Sequence, residues 1–305
     1  MVAITDRRTE LEGTAMLGLV LLCLLWGVQQ ATIKIAMTGV PPVLQGGLRS
    51  LGAVVLVWGW ASWRGLRLFE RDGTLGPGLL AGLLFALEFL LIYWGLTYTT
   101  ASRSILFLYT APFVVALGAH LLLPGERLSR LQAVGLLCAF AGVAAAFAEG
   151  LRLPTYRELA GDLMVLGGAV LWGATTLLIK TTRLVRSSPT KVLFYQLAVS
   201  AALLPVGSAL LGEGGVVALS PLVLACLAYQ IVVIAALSYL AWFWLIARYP
   251  AARLSAFTFL TPLFGVMAGA LLLGERITGG FVAAMALVCA GIYLVNRRPA
   301  LPRTT

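Results

Sequence analysis

Ten runs of mostly apolar residues follow one another through this sequence, each about as long as a bilayer is thick and each divided from the next by a short polar gap. A helix rises about 1.5 Å per residue and the hydrocarbon core is about 30 Å thick, so about 20 apolar residues cross it. The runs fall at about 14–38, 42–62, 75–99, 101–123, 129–149, 161–182, 190–211, 220–246, 251–273 and 278–296, and they leave no room for a soluble domain. Apolar residues make up 60% of the 305 and charged residues 11%, against about 25% charged in water-soluble chains. The polar surface needed to cover a globule is missing, so the solvent is lipid. Lipid offers an open backbone no hydrogen bonds, and the runs are therefore predicted as helices. The expected fold class is an all-α polytopic membrane protein with ten transmembrane helices.

The formal charge of +10 is a topology signal. Ten spans put both termini on one side. That side carries 15 of the Lys and Arg residues, and the other carries 4, Arg103, Arg152, Arg157 and Arg276. Basic loops stay inside, so both termini are expected in the cytoplasm of a bacterium, with the chain in its inner membrane. The basic residues come in ones and twos instead of gathering on one water-facing element, which argues against nucleic acid as a partner. Cys23, Cys138, Cys226 and Cys289 lie far apart inside apolar runs and read as packing residues, with neither disulfide nor metal. The stretch MVAITDRRTELEGTA mixes acidic with basic residues and leads into a run without a small-residue cleavage site, so that run is expected to be a permanent span.

Self-comparison reveals a repeat. Leu25-Trp26-Gly27 with Lys34 recurs as Leu171-Trp172-Gly173 with Lys180; Pro112 recurs as Pro262; and LLLPGERLS, from Leu121, recurs as LLLGERIT, from Leu271. Offsets of 146 to 150 connect the three matches, which divides the chain into residues 1–150 and 151–305. Each half holds five spans. Five is odd, so the second copy enters the membrane upside down, an inverted 5+5 construction expected of a carrier.

The paired halves, the LWG starts, the mid-span prolines and the two GER turns resemble the drug/metabolite transporter superfamily in its ten-helix EamA-domain branch, over about residues 14–296. Within that branch the chain is most similar to the aromatic amino-acid exporters of the YddG type. The resemblance implies two EamA-type five-helix repeats forming a basket around a central cavity, lined mainly by spans one, three, four, six, eight and nine, with export of amino acids by alternating access. Pro124 is an extra residue in the first GER turn and departs from strict symmetry.

Polar groups at membrane depth are costly unless they face a cavity or a partner, so they are the candidate site residues. Trp26, Gln30 and Lys34 fall on one helix face, as do Trp172, Thr176 and Lys180. Each stripe offers an aromatic plate, a hydrogen-bonding group and a cation, which suits a zwitterion with an apolar side chain. The bland alternative is packing for the tryptophans and snorkelling for the lysines. Glu88 is expected to face the cavity, either recognising an amine or coupling to protons; a neutral carboxyl bonded to a neighbouring helix is the alternative. Arg49, near Gln45, is expected to reach the membrane edge or a local carbonyl and is not placed in the site. Pro112 and Pro262 are expected gate hinges or fixed kinks, with Tyr109, Thr110, Phe259 and Thr261 nearby. Tyr239 and Trp242, with Ser238, form a further aromatic and polar face, for the site or for packing. Tyr93, Trp94 and Tyr98 are read as cavity residues or an interfacial belt. Gly135 with Gly142, and Ala284 with Gly291, suit close helix packing or oligomer contacts.

The function expected from these features is a secondary transporter that exports small amphipathic metabolites, with aromatic and other apolar amino acids as substrates and no cofactor. There is no GxxxxGK[ST] for nucleotide. Export of other drugs or metabolites, and a passive channel, are the alternatives. An intramembrane enzyme is disfavoured, because the chain has a single histidine, His120, and neither HExxH nor GxSxG. Partners are the small-molecule substrate and the bilayer; monomer and homodimer stay open.

Overall fold

Where each helix begins follows from local chemistry. The computed structural model describes residues 11–148, 153–273 and 280–297. Ser or Thr accepts a hydrogen bond from an exposed amide at several helix starts, as Ser129 does from Gln132 and Thr155 from Glu158, each in a reciprocal capping box. Pro occupies the first turn of several helices, where no amide partner is lost. The helices are α1 (Gly13–Ala36), α2 (Pro42–Trp63), α3 (Leu75–Leu96), α4 (Ala101–Leu108), α5 (Ala111–Leu122), α6 (Arg130–Ala146), α7 (Tyr156–Thr181), α8 (Pro189–Leu210), α9 (Pro221–Ala228), α10 (Tyr239–Arg248), α11 (Ala251–Phe257), α12 (Leu260–Leu273) and α13 (Phe281–Asn296). A π-helical stretch, Tyr229–Ser238, joins α9 to α10.

Among the described residues, 8 helical segments are long and apolar enough to cross a membrane, and α6 and α13 are shorter apolar helices. The chain is an all-helical, multi-pass membrane protein. Two of the expected spans differ from continuous helices. The fourth breaks into α4 and α5 at Tyr109–Thr110, and the ninth into α11 and α12 at Thr258–Phe259. Pro112 and Pro262 lie in the first turns of α5 and α12, so each accompanies a helix start and does not kink an unbroken helix.

The main packing pairs are α6 with α13, α3 with α7, α2 with α8, and α1 with α12. Glycine sets the spacing of the first. A Cβ on Gly135 would lie 2.7 Å from the Gly291 carbonyl oxygen, and one on Gly142 would lie 2.8 Å from that of Ala284. The small residues of spans five and ten therefore pack against each other within the chain.

Loops at the two ends are tied by charges. At one end, rich in arginine, Lys191 Nζ lies 2.8 Å from Asp72 and also donates to the Glu70 carbonyl. Partial burial pushes the Asp72 carboxyl up, but hydrogen bonds from Lys191 and Thr74 outweigh it and hold the group down at about 2. At the opposite end, Glu213 accepts hydrogen bonds from the amides of Val43 and Leu44 at the positive N-terminus of α2. Also at that end, Arg103 grips the fully buried Asp162 of α7 through Nε and Nη2, and Thr99 donates to the same carboxylate.

Candidate functional site

Two groups of aromatic residues meet between the α1–α3 and α7–α12 parts of the bundle. In the first, the Trp26 indole donates from Nε1 to Ser238 Oγ at 2.9 Å, and Ser238 in turn donates to the Ile234 carbonyl. The indole stands edge-on to Trp242, with centroids 5.3 Å apart, and to Tyr239 at 6.3 Å. Tyr239 stands edge-on to Phe85, which meets Phe89. In the second, Tyr109, at the break in span four, stands edge-on to Trp172 at 6.3 Å.

Trp242 joins the two groups. With Trp172, Thr176, Pro112, Ser255 and Thr258 it lines a narrow cavity of about 10 Å³, room for at most about one water. The wall is almost wholly apolar, since the Thr176 hydroxyl is turned back to the Trp172 carbonyl. Of the expected site residues, Pro112, Trp172, Thr176 and Trp242 line this cavity, while Trp26 and Tyr109 reach it only through their ring contacts with Trp242 and Trp172, and Tyr239 through Trp26.

Other expected site residues lie elsewhere. Lys180 sits at the Arg-rich end, where Nζ donates to Glu126 at 2.6 Å and to the Tyr249 carbonyl at 2.7 Å, while Glu126 also accepts from the Ala251 amide. Glu126 is the acid of the first GER turn. Lys34 is exposed on the last turn of α1, away from the cavity. Pro262 is buried beside Thr261 and does not line the cavity. The side chain of Gln30 and the second GER turn lie outside the described residues. His120 accepts the Leu128 amide on Nδ1.

Arg49 requires a correction. It reaches neither the membrane edge nor a carbonyl: its side chain is fully buried, with the guanidinium carbon 4.1 Å above the Phe89 ring and 6.0 Å from the Tyr239 ring. None of its three nitrogens makes a hydrogen bond. Glu88, on α3, interacts with it electrostatically without forming a salt bridge. The sequence did hold a signal for this, because Arg49 lies two turns inside α2 from its N-terminus, deep for snorkelling. Two further features escaped the sequence reading. One is the π-helical stretch, which carries the buried Gln230. The other is the glycine of each LWG motif: a Cβ on Gly27 would lie 2.6 Å from Phe264, and one on Gly173 would lie 2.5 Å from Val114, each contact falling two residues beyond the proline of the other half. Among the described residues no three His, Cys, Asp or Glu side chains group as metal ligands.

The EamA-like transporter family model matches residues 13–148 and, again, 159–297. The chain belongs to the EamA-like transporter family. It is 28% identical over 288 residues to the uncharacterized transporter YvbV of Bacillus subtilis, covering 93% of this chain and 92% of that one. Two proteins named probable amino-acid metabolite efflux pump are similar: that of Salmonella typhimurium at 29% identity, and that of Escherichia coli at 27%, each over 90% of this chain and 92% of the relative. A solved structure titled only as the crystal structure of a protein superposes with a TM-score of 0.79 at 21% identity, over 92% of this chain and 98% of that one, which shows the shared fold.

Proposed function

We propose that this EamA-family protein is a secondary transporter that exports small amphipathic metabolites, aromatic and other apolar amino acids among them, across the bacterial inner membrane by alternating access. The carrying observation is the set of edge-on aromatic contacts made across the two halves, Trp26 with Tyr239 and Trp242 and Tyr109 with Trp172, beside a narrow apolar cavity whose wall includes Trp172 and Trp242. A flat apolar body stacks on such rings. The closure favours a carrier over a channel, which needs a continuous polar file. The names of the efflux-pump relatives support amino-acid metabolites as the substrate class.

An inverted repeat supplies the means of alternation. Its support is the double family match, the helix breaks at Tyr109–Thr110 and Thr258–Phe259, about 150 residues apart, and the exchange of partners by which α1 packs on α12 as α7 packs on α5. In one state the Lys180–Glu126 tie closes the Arg-rich end, taken as cytoplasmic from the loop charges. Lys34 and Glu275 are the sequence counterparts in the other half, Glu275 lying outside the described residues.

The test is efflux of labelled phenylalanine and tryptophan from proteoliposomes. Rates above protein-free liposomes are expected, and Trp172→Ala or Trp242→Ala should lower them about tenfold, since each ring contact is worth about 0.5–1.5 kcal/mol beyond its buried area. Wild-type rates equal to those of protein-free liposomes for a panel of amino acids would sink the assignment. The same assay with an imposed pH gradient reads the driving force.

A further inference from the structure

We infer that Arg49 is the carboxylate anchor of the transport site and that Glu88, across the α2–α3 interface, receives the substrate ammonium, which makes the preferred substrate a zwitterion. The inference rests on the amino-acid reading above and assigns the polar half of the site, which the aromatic cavity lacks.

A guanidinium carries five N–H donors in a fixed fork that matches a carboxylate in two parallel hydrogen bonds. Here the fork is fully buried and all three nitrogens are without a hydrogen bond. Burying an unpaired charge costs several kcal/mol, and stacking over Phe89 returns only about 0.5–2 kcal/mol, through the ring face, leaving the N–H groups unsatisfied. The groups facing Arg49 are Glu88, Tyr93 and Tyr239. The tyrosines are neutral hydroxyls: that of Tyr239 lies close to the guanidinium but outside hydrogen-bond geometry, and that of Tyr93 is itself buried without a partner. Glu88 is the one carboxylate among them, yet it stands beyond salt-bridge distance and has no hydrogen-bond partner among the described residues. A cation and an anion are thus held facing each other, buried and unjoined. An α-amino acid carries the complementary pair on one carbon and would satisfy both while leaving the site neutral.

The location fits. Phe89 of α3 lies under Arg49 and meets Phe85, and Tyr239 connects Arg49 to Trp26, which contacts Trp242 on the wall of the cavity. The head group of a substrate at Arg49 would leave its side chain among these rings.

Proteoliposomes holding the full chain and loaded with labelled phenylalanine are challenged with three competitors: unlabelled phenylalanine, phenethylamine, which lacks the carboxylate, and 3-phenylpropionate, which lacks the ammonium. Wild type should prefer phenylalanine to either analogue by tenfold or more. Arg49→Gln should erase the preference over phenethylamine and keep that over 3-phenylpropionate; Glu88→Gln should do the reverse. Arg49→Lys, which keeps the charge and loses the fork, should weaken phenylalanine about tenfold while leaving phenethylamine unchanged. A merely structural arginine would weaken all three ligands alike, and equal losses in Arg49→Lys or Arg49→Gln overturn the anchor. Wild type that ignores phenylalanine altogether overturns the amino-acid reading itself, whereas wild type that takes phenylalanine with Glu88→Gln and Arg49→Lys both unaltered overturns only the anchor.

Discussion

Gly27 and Gly173 occupy the same place in the LWG motif, yet their surroundings differ in a way that decides what each tolerates. A Cβ on Gly27 meets the Phe264 Cβ at 2.6 Å and the Gly265 amide nitrogen at 2.8 Å, atoms fixed to the backbone of α12. A Cβ on Gly173 meets a methyl of Val114 at 2.5 Å and the Val114 Cβ at 2.8 Å, and the nearest backbone atom is 3.5 Å away. The Val114 methyl can rotate aside, leaving only its Cβ too close, whereas at Gly27 a Cβ and two backbone atoms lie within 2.8 Å and the helix has to move further. Gly27→Ala should therefore cost about 2–3 kcal/mol and Gly173→Ala about 1 kcal/mol, within the overpacking range. Thermal unfolding in detergent of the two variants ranks them, and equal losses would show that α1–α12 yields as easily as a rotamer. The tryptophan of each motif was legible from its chemistry at membrane depth, but the glycine was not, because the need for a missing side chain is created by a partner far away in sequence, Phe264 for Gly27 and Val114 for Gly173. Arg49 was misread for a related reason: spacing gives the helical face of a side chain, and only the neighbouring helix tells whether that face leads to lipid or to another ring.

At the scale of elements, ten apolar runs were readable to within a few residues because the bilayer fixes helix length, whereas the breaks in spans four and nine were expected only as kinks. Proline in a span carries the same signal whether it bends a helix or opens a new one. The π-helical stretch left no signal, since its residues are as apolar as those of an ordinary span. The loops between elements are fixed by charge, and the tie of Asp72 to Lys191 between α3 and α8 gives a pH signature. The Asp72 carboxyl titrates at about 2 in the fold, below its ordinary 3.8, so the tie contributes fully above about pH 4 and is lost as pH falls through about 2. Its side chain is 35% exposed, and solvent screening holds the contribution to about 1 kcal/mol. Asp72→Asn should lower the melting temperature at pH 5 to 8 by a constant amount, with most of the gap to wild type gone by about pH 2. A gap that persists at pH 2 would assign the loss to hydrogen bonding by Thr74 instead of charge.

Seen as a whole molecule, the bundle is closed around its aromatic centre, and at the Arg-rich end one ion pair ties several helices together. Lys180 from the end of α7 reaches both the turn after α5 and the carbonyl of Tyr249 after α10, and Glu126 in that turn holds the first amide of α11. Three inter-helix junctions therefore depend on one ion pair whose side chains are 8% and 19% exposed. Charge-assisted hydrogen bonds of this kind are worth about 1.5–3 kcal/mol each, and 1.4 kcal/mol is a tenfold shift between two states. Breaking the pair should therefore favour opening of this end by about tenfold or more. The cavity residue Ser255 reports it: with the four native cysteines replaced by serine, Ser255→Cys should react slowly with a charged thiol reagent applied from the Arg-rich side, and at least tenfold faster when Lys180→Gln or Glu126→Gln is added. Because both substitutions remove the same bond, the double variant should react no faster than Glu126→Gln alone. If labelling rates are unchanged in both single variants, this end is closed by packing of the helices themselves and the ion pair is a passenger on it.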